Sequence, residues 1–283
     1  MRCAPTLLLW CACLASSPAL PALPAGIDVR AQNPEQVQRF SAALNAHLEE
    51  NPPAPNVGGA VIVALGERAF RQALAQRDGR PVLGVSVPRP VAERLMTAEC
   101  QCSAIWPGVP LSRQLRLLRT LMPEARRVGV LLGAHSAWRQ APAPAHGVSL
   151  EVVRVVGNRQ LGPLLRRHLP DWDALLLPED DHLFNAGSAK LVLLTSYRQR
   201  VPVIGPNAAF VAAGSVASGY ASLDDMARAC ADWLRHRDQH HRWPAPGFAG
   251  HYQPAVNEYV ARAYDLIFES LGALRRALAE GAP

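Results

Sequence analysis

The chain runs to 283 residues, 49% of them hydrophobic and 18% charged, which is enough for one large or two medium globular cores and too apolar for a disordered chain. Its 25 prolines and 20 glycines are scattered without a three-residue period, so collagen-like and low-complexity classes are excluded. The formal charge of +6 comes from 29 basic residues of which Lys190 alone is a lysine. The arginines are spread along the whole chain with no interleaved aromatics, and no nucleic-acid partner is expected.

Residues 1–25 read as a secretory signal, with Arg2 at its start, an apolar run from Thr6 to Ala15, and Ser17-Pro18-Ala19 as small residues at the cleavage positions. Cys11 and Cys13 lack the small residues that precede a lipid-bearing cysteine, so a soluble extracytoplasmic product is expected rather than a lipoprotein. No later apolar stretch reaches the roughly 18 residues of a membrane span.

Asn33-Pro34-Glu35 supplies a cap, a proline at the first helical position and an early acid; Val37, Phe40, Leu44 and Leu48 then recur at helical spacing, which predicts a helix over 34–50. Only the weak stretch Gly26–Arg30 precedes it. After the breaker Asn51-Pro52-Pro53-Ala54-Pro55-Asn56 comes the apolar run 59–65, the pattern of a strand buried on both faces. The alternation then repeats: helix 67–76, strand 82–87, helix 90–97, strand 103–106, helix 110–122, strand 127–133, a Pro-rich stretch, strand 149–155, helix 158–168, strand 173–178, helix 186–199, strand 202–204, helix 207–213 and strand 215–219. Helices 222–236 and 256–278 close the chain. Such alternation means parallel sheets covered on both faces, and about ten strands are too many for one ordinary sheet, so the expected fold class is α/β with two lobes. The crossings are expected near Trp106–Pro110 and Ser218–Ser222. Residues 26–106 plus 219–283 then form lobe one and 107–218 lobe two.

Of the three cysteines beyond the signal, Cys100 and Cys102 would close a tight ring with each other, so a bridge from one of them to Cys230 is favoured, with one thiol left over. His236, His240 and His241 lack a glutamate in a H-E-x-x-H arrangement and read as surface. Neither a G-x-S-x-G elbow, a P-loop nor a G-x-G-x-x-G after a strand occurs, so no enzyme activity and no cofactor or metal is expected.

In order along the chain, VIVALGERAF, GRPVLGVSVPRP, SAIWPGVPLSRQLRLLRTLMPEARRVGVLLG, WDALLLPEDDHLFN, RVPVIGPNAAFVAAGSVASGY and PAVNEYVARAYDL resemble the substrate-binding proteins of ABC transporters that include the tryptophan and tyrosine type. The resemblance covers nearly the whole chain after the signal. It implies a periplasmic-binding type I fold, two Rossmann-like lobes with parallel sheets joined by a hinge of three crossings and closing on a small ligand. The ligand contacts it implies sit on loops after strands, which agrees with the general rule for open α/β sheets.

On that basis Gly66 and Glu67, opening a helix after a buried strand, are candidates to hold an anionic ligand group, or Glu67 is a first-turn acid only. Asp180, Asp181 and Asn185 follow the strand at 173–178, where the resemblance places an acid that pairs with a ligand ammonium; capping of the following helix is the alternative. Ser86, Trp106, Asn207 and Tyr220 face the cleft if the fold holds, although Trp106 and Tyr220 serve equally well as hinge packing. Arg113 is a further candidate at the start of its helix.

The expected function is that of a periplasmic solute-binding protein, working as a monomer, that presents its closed form to an ABC permease in the inner membrane. The ligand implied by the resemblance is an amino acid or other small carboxylate. A ligand sensor feeding a membrane-bound signalling partner is the alternative.

Overall fold

The computed structural model describes residues 23–24, 26–50, 60–76, 79–139, 147–268 and 270–280. The expected signal segment and the Pro-rich stretches 51–59 and 140–146 lie outside them, apart from residues 23–24.

The first sheet is built from β1 (Ile27–Arg30), β2 (Val61–Leu65), β3 (Val82–Val85), β4 (Cys102–Trp106) and β10 (Gly247–Phe248), all parallel and in that order. Alternation along the strands divides its side chains between two cores. Val61, Val63, Leu65, Leu83, Val85 and Ile105 pack against α1 (Pro34–Glu50) and α8 (Leu223–His240). Ile62, Ala64, Val82, Ala104 and Trp106 pack on the other face against α2 (Gly66–Ala75) and α3 (Arg89–Leu95). This double burial is why the strands read as continuous apolar runs.

The second sheet has the order β11-β9-β8-β7-β5-β6, made of β5 (Arg127–Leu132), β6 (Ser149–Arg154), β7 (Ala174–Leu176), β8 (Val203–Ile204), β9 (Ala217–Tyr220) and β11 (Gln253–Val256). Only β11 is antiparallel, pairing with β9. Val128, Val130, Leu176 and Ile204 face α4 (Leu111–Leu121) and α10 (Leu271–Glu280); Leu131, Leu175, Leu177 and Val203 face α5 (Asn158–His168), α6 (Ala186–Arg198) and α7 (Ala208–Ala213). No described helix is long and apolar enough to cross a membrane.

Three passages join the sheets, after Trp106, after Tyr220 and after Phe248. The last corrects two expectations. The single helix over 256–278 is two helices: α9 (Glu258–Ala263), capped by Asn257, stops at Asp265 with φ of +58°, and α10 begins afresh after Ser270. Residues from 253 on, expected in lobe one, return to the second sheet as β11, and Leu274 of α10 is buried in the core beneath it with α4. The lone antiparallel strand sits at the sheet edge, where Pro254 costs no ladder bond.

The expected bridge to Cys230 is also corrected. The disulfide joins Cys100 to Cys102, and Cys230 is a buried free thiol. The sheet itself keeps the two apart: Cys102 packs on the α2/α3 face, whereas Cys230 lies in α8 on the opposite face among Phe40, Leu44 and Val63.

Candidate functional site

The carboxyl ends of both sets of parallel strands point at one space between the sheets, a cavity of about 210 Å³. From the first sheet come Leu65 at the end of β2 and Val85 and Ser86 at the end of β3, with Gln36 and Phe40 of α1 above them. The first crossing adds Pro107 and Gly108. From the second sheet come Glu179 after β7, Asn207 after β8 and Tyr220 at the end of β9, and the second crossing continues through Ser222 to Leu223 and Met226 of α8.

The polar centre is Glu179. Asn207 caps α7, its Oδ1 accepting the Phe210 N–H at 3.1 Å, and the same side chain donates from Nδ2 to Glu179 Oε1 at 3.0 Å and Oε2 at 3.2 Å. Burial pushes the Glu179 carboxyl up to about 7; the nearby Asp181 and Asp180 push the same way, and the Asn207 bond opposes them. Gly108 in the first crossing has a φ of +76°, and a Cβ there would lie 2.9 Å from Glu179 Cβ, so the crossing passes this close to Glu179 without strain only as glycine. Ser86 holds a φ of +57°, left-handed for a residue with a side chain, and such local strain concentrates at binding sites.

Of the residues singled out from the sequence, Ser86, Asn207 and Tyr220 line this cavity and the other seven do not. Glu67 pairs with Arg71 one turn along α2 at 2.6 Å, and Gly66, at φ +80°, starts that helix beside Leu65. Trp106 is packed into the first core, edge-on to Phe248 with centroids 5.2 Å apart and with the Arg89 guanidinium 4.6 Å above its ring. Asp180 turns away from the cavity: its Oδ2 accepts from the His135 backbone at 3.2 Å and its Oδ1 from Leu183 at 3.1 Å, which ties the loop after β5 to the turn after β7. Asn185 caps α6 in a reciprocal box with Ser188, and Asp181 is exposed. Arg113 stacks on Tyr252 at 4.3 Å, outside the cavity lining. The sequence signal for Glu179 was the acidic run after the apolar strand at 173–178; the residue that faces the cavity is its first member rather than its second. No group of three or more His, Cys, Asp or Glu among the described residues is placed to hold a metal.

A second set of contacts spans the lobes beside the cavity. The loop after β5 inserts Ala137 into the first lobe's core next to Trp106 and Val91, and the Ala137 carbonyl accepts from Arg89 Nη1 at 3.3 Å. Arg139 pairs with Glu93 of α3. Trp138 packs into the second lobe's core, and its Nε1 donates to the carbonyl of Val109 in the first crossing at 2.7 Å.

No family model matches the chain, and no curated protein matches it in sequence. Among solved structures it is similar to an open, ligand-free substrate-binding protein with adhesive properties from Clostridium difficile (TM-score 0.62, 16% identity, 87% of this chain and 95% of the other). A Streptococcus pneumoniae ABC domain in complex with L-Trp superposes with a TM-score of 0.58 at 14% identity, covering 89% of this chain and 97% of the other. The arabinose-binding protein of Geobacillus stearothermophilus gives 0.50 at 12% identity, over 83% and 97%. Two lobes, three crossings and a cavity at the strand ends agree with these likenesses: the chain has the type I fold of the periplasmic substrate-binding proteins of ABC transporters.

Proposed function

We propose that this protein is an extracytoplasmic solute-binding component of an ABC-type uptake system, binding one small molecule between its lobes and delivering it to a membrane permease. The reading is one of binding by hinge closure, without chemistry. The observation that carries it is the Glu179–Asn207 pair set in a cavity formed by strand ends from both sheets. A carboxylate raised to about 7 by burial gains most from a cationic or hydrogen-donating partner, which offsets its desolvation. Phe40, Leu65 and Met226 present an apolar wall nearby. The ligand class that suits both is a small amine with an apolar body, an amino acid among them, and the cavity's size admits only a compact molecule. Ser86, Gln36, Ser222 and Tyr220 supply further hydrogen-bonding groups around it.

Native mass spectrometry of freshly purified protein, followed by calorimetric titration with the retained compound or a panel of amino acids and amines, tests this. A retained amine whose affinity falls in Glu179→Gln supports the reading. Absence of binding across the panel, or an affinity indifferent to Glu179→Gln, overturns it.

A further inference from the structure

Cys102 opens β4 and Cys100 lies in the turn just before it; both are half-buried, and together they wall a groove of about 490 Å³. Val82, the first residue of β3, and Leu95 of α3 also line this groove, and the exposed Thr97, Glu99 and Gln101 surround the disulfide. β3 and β4 run parallel, so the groove sits at their amino ends, away from the carboxyl ends that form the cavity.

A bridge over so short a span closes almost no loop, so it restricts the unfolded chain very little and contributes little as a staple. Accessible bridges of that kind exchange with outside thiols, whereas long-loop, buried ones resist. The remaining described cysteine takes no part: Cys230 is 0% exposed, lies on the other face of the sheet, and burial pushes its thiol far up.

We propose that Cys100–Cys102 is a thiol–disulfide exchange site that reacts with a protein dithiol of the Cys-x-x-Cys kind, whose exposed thiolate enters the groove. That thiolate attacks one sulfur of the bridge; the Cys100–Cys102 bond breaks, and the departing sulfur leaves as a thiolate that takes up a proton. The second thiol of the incoming pair loses its proton and attacks its own partner's sulfur in the mixed disulfide; the intermolecular S–S bond breaks, and the remaining cysteine of the bridge leaves as a thiolate that takes up a proton. The donor ends as a disulfide and Cys100 and Cys102 as two thiols, a transfer of two electrons and two protons. The site is independent of the cleft reading and places a redox-dependent chemical state at the end of lobe one remote from the ligand.

The test is differential alkylation of the folded protein with peptide mapping, after exposure to a reduced thioredoxin or to glutathione at equal thiol concentration. The expected result is label on the peptide carrying Cys100 and Cys102 appearing at least about tenfold faster with the protein dithiol than with glutathione, while the Cys230 peptide stays unlabelled. Cys230 should stay equally protected in Cys100→Ser/Cys102→Ser, because the fold does not depend on the bridge. Labelling of both peptides at one common rate, equal rates with the two reductants, or exposure of Cys230 in the double variant would each overturn the proposal.

Discussion

Replacing Glu179 by Gln removes a charge from the cavity while leaving an oxygen for the Asn207 amide, and its effect on stability requires no knowledge of the ligand. In the unfolded chain a glutamate titrates near 4.5, and in the folded protein burial carries this one to about 7. Below 4.5 both states hold the proton and the residue costs nothing. Between 4.5 and 7 the folded state holds more proton than the unfolded one, so stability falls as pH rises, and above 7 the full penalty is in place. At 1.36 kcal/mol per pH unit the penalty is about 3 kcal/mol. Glu179→Gln should therefore match the parent at pH 4.5 and exceed it by up to about 3 kcal/mol at pH 8, a rise in Tm of several degrees for a chain of this size. Urea denaturation of the ligand-free protein at a series of pH values measures this. Parallel profiles for parent and variant would show that the carboxylate is not held in a desolvated place, and the electrostatic basis for the site would fail with it.

Binding of an amine ligand should show the opposite slope, weakening about tenfold per pH unit below 7 as Glu179 takes up its proton, a dependence that calorimetry at pH 5.5 to 8 would detect. Gly108→Ala should cost at least about 1–2 kcal/mol, since the residue holds φ +76° against Glu179, and a melting temperature equal to the parent's would contradict that geometry. Asp180→Asn should cost about 1–2 kcal/mol through the weakened bonds to the His135 and Leu183 amides while leaving ligand affinity unchanged; a lost affinity with intact stability would restore Asp180 to the binding site. Ala137→Asp places a charge in the first lobe's core at the inter-lobe loop and should enlarge the radius of gyration in small-angle scattering, an outcome that an unchanged profile would refute.

What the sequence disclosed depended on how local its cause was. The run GAVIVAL could be read as a doubly buried strand because both faces of β2 are covered, and Asn33-Pro34-Glu35 announced α1 within three residues. β10 and β11 escaped notice because a two-residue strand and a four-residue edge strand containing Pro254 carry no pattern of their own; only the sheets they complete define them. The break between α9 and α10 likewise depends on a left-handed Asp265, which periodicity does not register. At the site, Ser86, Asn207 and Tyr220 followed from the rule that strand ends face ligands. Choosing Glu179 over Asp180 required information from 45 residues away: the backbone N–H of His135, in the loop after β5, engages the Asp180 carboxylate, and its neighbour is left to the cavity.

The loop that carries Ala137 also bears on kinetics. Any parting of the lobes has to withdraw Ala137 from its seat beside Trp106, break the Arg139–Glu93 pair and strip Arg89 of its carbonyl. Under the proposed binding function, these contacts place part of the cost of opening on the protein itself, so a ligand need contribute less to hold the lobes together. On the same reading these contacts should slow escape of a bound ligand, because each of them has to break before the lobes part. Under the proposed function, a permease that empties such a carrier has to act on both lobes to break this clasp, and loosening it by substitution should be felt first as a shorter residence time rather than as a changed choice of ligand.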